Sequence, residues 1–325
     1  MLLLKNDFQI LEKNGFHKMT SFKNWINASR PRTLPLSISG ILVGSSYAYF
    51  LGSFDLFIFL MIVATAISFQ ILSNFANDYG DGLKGTDNKN RIGPKRTLQM
   101  GLISPKQMRH AIIANVLISS TLSLSLIGFV FGMENIKFSF VYILLSFFSI
   151  YAAIRYTVGD KAYGYRAMGD LVVFLFFGLL SVFGTFFLFT KQIDIRLLLP
   201  ASAIGFLSSA VLNLNNMRDI ESDRDSKKIT LAGVMGQKKS KIYHFIIVIL
   251  GIFFMMTFHL TVSFSKLILI SWIAFFPFIF HLKGIYKITN PKLFDPHLKL
   301  VSISTFVLSL LIASVMVIEH SFLQY

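Results

Sequence analysis

Apolar and polar positions segregate along this chain in long blocks. Apolar stretches with at most one charged residue recur nine times, at 33–51, 54–76, 110–132, 138–155, 168–190, 196–216, 242–261, 264–281 and 299–318. A helix needs ~20 residues to cross ~30 Å of hydrocarbon, and most of these stretches approach that length. Backbone placed in lipid must satisfy its own polar groups, so such blocks predict helices. The expected fold class is an all-α polytopic membrane protein of about nine transmembrane helices. Only Leu267 to Phe280 lies between Lys266 and His281, so the eighth stretch reads either as a short span with Lys266 reaching back to the interface or as a re-entrant piece. Alternate connections are very short: Gly52-Ser53, Met133 to Lys137, Lys191 to Ile195 and Val262-Ser263. Short links imply antiparallel neighbours. The expected organisation is a tail over 1–32, one helical domain over 33–318 and a short tail over 319–325.

Composition supports this picture and charge orients it. The chain is 54% hydrophobic with 35 Phe, and its mean hydropathy is +0.63; a soluble domain is about 45–50% apolar. A net charge of +15 could signal nucleic acid, but its distribution signals topology. Of the 31 Lys and Arg, all but Lys137, Lys191, Arg196 and Lys266 fall in the N-terminal tail or in the longer, alternate loops. That asymmetry places the N-terminus and those loops in the cytoplasm, and the C-terminus outside. Anionic lipid or an anionic substrate is the second reading of the charge. With no Cys, disulfides and thiolate metal sites are excluded. The N-terminal tail lacks the charged-apolar-small pattern of a cleaved leader. The seven His have no ligand spacing; His259 and His320 fall near the outer face and His281 in an inner loop, and all are read as incidental. Met255-Met256 reads as packing.

Chemistry concentrates at two places. Asn74 to Asp87 reads NFANDYGDGLKGTD, and Asn213 to Asp225 reads NLNNMRDIESDRD. Each directly follows an apolar block on the basic side. Asn77-x-x-x-Asp81 matches Asn215-x-x-x-Asp219, an internal repeat whose copies lie four spans apart and therefore face one compartment. If the second span continues as a helix, Asn74, Asn77, Asp78 and Asp81 share a face, and on the sixth Asn215, Asp219 and Asp223 form one stripe. Hard oxygen donors of this kind suit Mg²⁺, which bridges one or two carboxylates to substrate phosphates. Two facing acidic stripes repel unless cations lie between them. The plainer reading, acids that solvate a loop or pair with Arg218 and Arg224, is weakened by the recurrence of the same Asn–Asp offset. Acids kept at the membrane are costly, and function is the usual reason for keeping them.

Arg30-Pro31-Arg32-Thr33-Leu34-Pro35, NDYGDGLKGTD with Arg91-Ile92-Gly93-Pro94, and NNMRDIESDRDSKKITLA resemble the intramembrane aromatic prenyltransferases of the UbiA superfamily. Tyr165-Arg166-Ala167-Met168-Gly169-Asp170 with the apolar run that follows is similar to its 1,4-dihydroxy-2-naphthoate branch. The resemblance covers roughly residues 25 to 320. It implies nine helices around a central cavity, with Mg²⁺ and a polyprenyl diphosphate between two Asp motifs. By position, Asn77, Asp78 and Asp81 match the first motif, and Asp219 and Asp223 the second; Asp81, Asp219 and Asp223 are the expected catalytic acids, with Asp87 and Asn215 as further metal ligands. Asp87 departs from the superfamily pattern by lying six rather than four residues after Asp81, a spacing the naphthoate branch shares. Gly233-Val234-Met235-Gly236 departs in lacking the branch's basic residue before the glycine.

The implied reaction is prenyl transfer to 1,4-dihydroxy-2-naphthoate with loss of CO₂ and diphosphate, giving demethylmenaquinone in a bacterial cytoplasmic membrane. Ionising an allylic diphosphate needs cations on the leaving group. The candidates are Lys84, Arg91, Arg96, Lys161, Arg218 and Lys228, with orientation or lipid contact as the alternative for each. The carbocation needs aromatic faces and no water, for which Tyr151 and Tyr156 are the candidates. Arg30 and Arg32, with Asn74, are candidate substrate contacts, or topological anchors in the case of the two arginines. The rival readings are another acceptor, such as 4-hydroxybenzoate or haem, and a secondary transporter whose acids bind coupling ions; transporter sites lie nearer the bilayer midplane. Neither nucleic acid nor an obligate protein partner is expected.

Overall fold

The computed structural model of the protein describes residues 21–87, 91–262 and 265–323, with side chains described as far as residue 321. Lys5, Lys13, Lys18 and Lys89, counted above toward the basic side, lie outside the described residues. The described chain is helical apart from loops and one isolated bridge between Arg166 and Ile229. A short helix, α1 (Phe22–Ser29), and a turn at Pro31–Thr33 lead into α2 (Leu34–Phe50). There follow α3 (Leu56–Leu83), α4 (Pro105–Phe131), α5 (Ile136–Arg155), α6 (Gly169–Thr190), α7 (Ile195–Arg218), α8 (Ile220–Asp225), α9 (Leu231–Thr261), α10 (Lys266–Ile285) and α11 (Phe294–Leu323).

Eight of these helices are long and apolar enough to cross a membrane. The uncharged α2, of 17 residues, is the ninth apolar helix and falls just short of that length. α10 settles the eighth stretch as a continuous helix of 20 residues, wound tightly over Lys266–Phe275 and as an ordinary α-helix from Phe276. Local chemistry sets several ends: Asp55 caps α3 by accepting from the Ile58 N–H, Ser104 and Gln107 form a reciprocal capping box on α4, and Thr230 caps α9. α9 begins well before residue 242, with a break at Gly236 (φ 71°). α11 continues to Leu323, so residues 319–323 extend a helix rather than forming a tail.

The helices pack around α7, two-thirds of whose most apolar window is buried. Small residues let its backbone approach α6: a Cβ on Gly178 would lie 2.5 Å from the Ala201 carbonyl oxygen and 2.6 Å from Gly205 Cα. Such close crossings drive helix association in lipid, where apolar burial offers little. α7, α9, α10 and α11 share a core that includes Ile204, Leu207, Phe258, Phe278 and Leu308. α3, α4 and α6 share a second around Ile62, Leu126, Phe131 and Leu188. Met255 is buried in the first core, as packing.

The histidines need a correction. His281 lies within α10, not in a loop, and is buried. Its Nε2 meets His244 Nε2 at 2.6 Å and its Nδ1 meets His297 Nδ1 at 2.8 Å, a hydrogen-bonded chain across α9, α10 and α11. Sequence spacing missed it because three separate helices supply the rings.

Candidate active site

α3 continues unbroken through Leu83, so the first acidic stretch forms its last turns and Asn74, Asp78 and Asp81 are all buried. Asn74 donates to the Ser29 carbonyl at 2.8 Å and to Thr33 Oγ1 at 3.3 Å, pinning the segment before α2. That brings Arg30 onto Asp78, which Arg96 approaches to 3.6 Å and Thr97 to 3.5 Å. Asn77 accepts from Thr157 at 3.4 Å. Thr157 also donates to the Ala76 carbonyl at 2.9 Å and lies where only a glycine at position 80 leaves room, since a Cβ there would come 2.5 Å from its hydroxyl. Asp87, beyond the helix, pairs with Arg91, and its second carboxylate oxygen is buried with no hydrogen-bond partner among the described residues.

The second stretch departs from the expected single stripe. α7 ends at Arg218, Asp219 is the junction residue (φ −102°, ψ 12°), and Asp223 rides on the separate α8. The bend frees the Arg218 guanidinium to grip Asp219 with two hydrogen bonds, of 3.0 and 2.6 Å, while donating to Asn215 Oδ1 at 2.7 Å and pairing with Asp295 of α11. Gly93 makes room: a Cβ there would stand 2.5 Å from the Arg218 guanidinium. The loop after α3 and the second motif are thereby in direct contact.

Lys228 joins the two motifs. Its Nζ lies 3.8 Å from Asp81 Oδ2 and 3.8 Å from Asp223 Oδ1. Burial alone would lower its pKa, but the two carboxylates hold it above the usual lysine range. Burial pushes Asp223 up to about 6 against the opposing pull of Lys228, and raises Asp87 despite Arg91. Around the acids stand three part-buried arginines, Arg30, Arg91 and Arg96, whose buried Nε atoms have no hydrogen-bond partner among the described residues. Burial beside Arg30 and Arg91 lowers Arg96 to about 9, so it is a cation at neutral pH. Buried N–H donors left unpaired are costly, and an anion would satisfy them.

Tyr165 carried no role in the sequence reading, yet it sits at the centre. Its hydroxyl bonds Asp81 Oδ1 at 2.7 Å and Thr86 Oγ1 at 2.5 Å. Lys84 stands 3.9 Å from the centre of its ring and Lys228 5.5 Å, within cation–π range. Lys84 also donates to the Gly159 carbonyl at 2.9 Å. Tyr165 was findable only as part of the quoted Tyr165–Asp170 run; Asp295, which completes the grip on Arg218, carried no sequence signal.

Other expected residues fall elsewhere. Tyr151 is 53% exposed and stacks on Phe147, on the exposed face of α5 with Phe140 and Leu144; the structure does not bring it to the acids. Lys161 is exposed in the loop after α5, and Arg32 is exposed without an ion pair among the described residues. Tyr156 is half-buried with its hydroxyl against Gly169, where a Cβ would meet it at 3.0 Å.

Among the described residues, no group of three or more Asp, Glu or His converges as a metal site. A cation here must share its coordination with another ligand. That is the ordinary situation of Mg²⁺ with a phosphate substrate, and the unpartnered Asp87 oxygen and the Asp81–Asp223 pair supply hard donors for it.

Residues 37–303 match the model of the UbiA prenyltransferase family. Over 227 residues, 69% of this chain and 73% of the relative, it is 45% identical to a 1,4-dihydroxy-2-naphthoate octaprenyltransferase of Haemophilus influenzae. An Escherichia coli protein of that name is 43% identical over 220 residues, 68% of this chain and 71% of its own. A UbiA homologue from Archaeoglobus fulgidus, solved with DMAPP and Mg²⁺ bound, superposes with a TM-score of 0.60 over 90% of this chain and 99% of its own, at 13% identity.

Proposed function

The chain belongs to the UbiA prenyltransferase family, and from that membership we propose that it transfers a polyprenyl group from polyprenyl diphosphate to 1,4-dihydroxy-2-naphthoate. CO₂ and diphosphate leave, and demethylmenaquinone forms. The observation that carries this reading is the bridge at Lys228 between Asp81 and Asp223, beside three part-buried arginines whose Nε atoms have no hydrogen-bond partner among the described residues. The relatives named for that acceptor favour the naphthoate.

Asp81 and Asp223, with Asp78, Asp87, Asp219, Asn77 and Asn215 around them, would hold Mg²⁺. When bound, it neutralises charge on the diphosphate as the allylic C–O bond breaks. Arg30, Arg91 and Arg96 would turn their Nε–H groups, which make no hydrogen bond among the described residues, to the diphosphate oxygens. Arg218 is tied to Asp219 and Asp295 and orients the second motif. Lys228, held between Asp81 and Asp223, would offer its ammonium to the diphosphate oxygens. Tyr165 keeps Asp81 aimed through its 2.7 Å bond and presents an aromatic face. Burial of the acids restricts water, which would otherwise capture the carbocation. The ring carbon that bears the carboxylate attacks the cation and then loses CO₂. By the excess of Lys and Arg in alternate loops, the N-terminus and this site would face the cytoplasm.

Membranes containing the protein convert naphthoate and polyprenyl diphosphate to a prenylated quinol, identified by mass spectrometry, and EDTA abolishes the conversion. Asp81→Ala combined with Asp219→Ala reduces it at least 10³-fold, the scale of losing transition-state charge stabilisation. Activity that survives EDTA or the double substitution overturns the metal assignment. Product from 4-hydroxybenzoate but none from naphthoate overturns the acceptor.

A further inference from the structure

A cavity of about 330 Å³ adjoins the acid cluster. Arg224, Lys227 and Lys228 supply its charge, and Ile220, Ile229 and Val234, with Gly233, its apolar wall. Among the described residues, no carboxylate lines it. Ile229 and Val234 are 54% and 66% exposed, so the apolar wall is open to an incoming molecule. Lys228 belongs both to this cavity and to the Asp81–Asp223 bridge.

The rim is built by fixed backbone. Lys227 N–H bonds the Arg224 carbonyl at 3.0 Å and Lys228 N–H the Asp223 carbonyl at 2.8 Å, the paired bonds that close a helix around a left-handed residue. That residue is Lys227, at φ 57°, where glycine is usual because a side chain costs backbone energy. A strained lysine on the rim of a basic cavity points to a use for its side chain. Ala167 N–H holds the Ile229 carbonyl at 2.8 Å, and Thr230 caps the next helix, so both ends of the rim are anchored.

Three cations against an apolar wall select an anion with an apolar body. The volume is at the lower end of the ~300–1,000 Å³ of small-molecule sites, so it admits a one- or two-ring molecule and not a polyprenyl chain. We propose that this cavity docks the aromatic carboxylate acceptor, with Arg224 and Lys227 on its carboxylate and Ile220, Ile229 and Val234 against its ring. Lys228 then links the docked acid to the reaction centre. The inference rests on the function proposed above, and it separates the entry of the water-soluble acid from that of the lipid donor.

The test uses the full chain in detergent with two variants. Val234→Trp fills the cavity, and Lys227→Gly removes the cation while relaxing the backbone. Each raises KM for naphthoate about tenfold, the scale of one lost charged contact, and leaves kcat and KM for polyprenyl diphosphate unchanged. Lys227→Gly does not lower Tm, which a merely structural lysine at this position would also show; the selective change in acceptor KM is what a structural role would not produce. A fluorescence titration of naphthoate without donor weakens by the same factor in both variants. Wild-type acceptor KM in both variants overturns the docking site, and so does a parallel rise in both KM values. Failure of the wild type to convert naphthoate overturns the function, and this inference with it.

Discussion

Tyr165 does as much to define the site as any acid. One hydroxyl serves Asp81 and Thr86, and one ring faces two lysines. Tyr165→Phe keeps the ring and deletes the hydroxyl, so kcat/KM should fall about 10–100-fold, the value of a hydrogen bond to a charged group, with little change in Tm. Steady-state kinetics on both substrates checks this, and wild-type kinetics in the Phe variant would leave only the ring with a role. Asp223 gives the pH dependence. Burial lifts its pKa from 3.8 to about 6, so the folded protein binds a proton there more tightly than the unfolded chain does. Stability of the metal-free protein therefore falls as pH rises through this window. If Asp223 holds the proposed cation through its carboxylate, Mg²⁺ affinity should run the other way and weaken about tenfold between pH 7 and pH 5. Calorimetric titration with Mg²⁺ and a diphosphate analogue should show this dependence, and Asp223→Asn should flatten it.

Helix geometry accounts for what each motif can do. Continuity of α3 through Leu83 stacks Asn74, Asp78 and Asp81 on one face, whereas the break at Asp219 turns the second motif back on itself so that Arg218 can hold Asp219. The crossing that carries this second motif depends on Gly178 and Gly205, whose backbones nearly touch. Gly178→Leu should overpack the crossing by ~1–3 kcal/mol and lower Tm by several degrees. Gly128→Ala, with nothing within 4 Å of its new Cβ, should leave Tm unchanged or slightly raised. Thermal unfolding in detergent distinguishes the two. Equal losses at both positions would refute the contact argument.

For the whole molecule, the distribution of Lys and Arg makes a claim about sidedness that chemistry can check. The chain has no Cys, so single-cysteine variants carry no background. Gln192→Cys, in a short loop, should react with a membrane-impermeant maleimide in intact cells, while Lys239→Cys should react only after the membrane is opened. The reverse pattern would invert the topology and put the acid cluster outside.

The sequence by itself determined the apolar helices and the two acidic stretches. Those features are carried by local composition: hydrocarbon thickness sets block length, and charge cannot be hidden within a block. It also marked Asp81 and Asp219, because an Asn–Asp offset repeats. Partnership is what it could not decide. Tyr165, Thr157 and Asp295 enter the site from loops and helices far from the motifs, and Lys228 becomes a bridge only when the two stretches meet. Tyr151 fell on the wrong face because a helix face is fixed by neighbours, not by residue type. The histidine chain, assembled from three helices, is the same lesson. A single sequence records which groups are costly to bury; only the packed helices decide which of them share the burial.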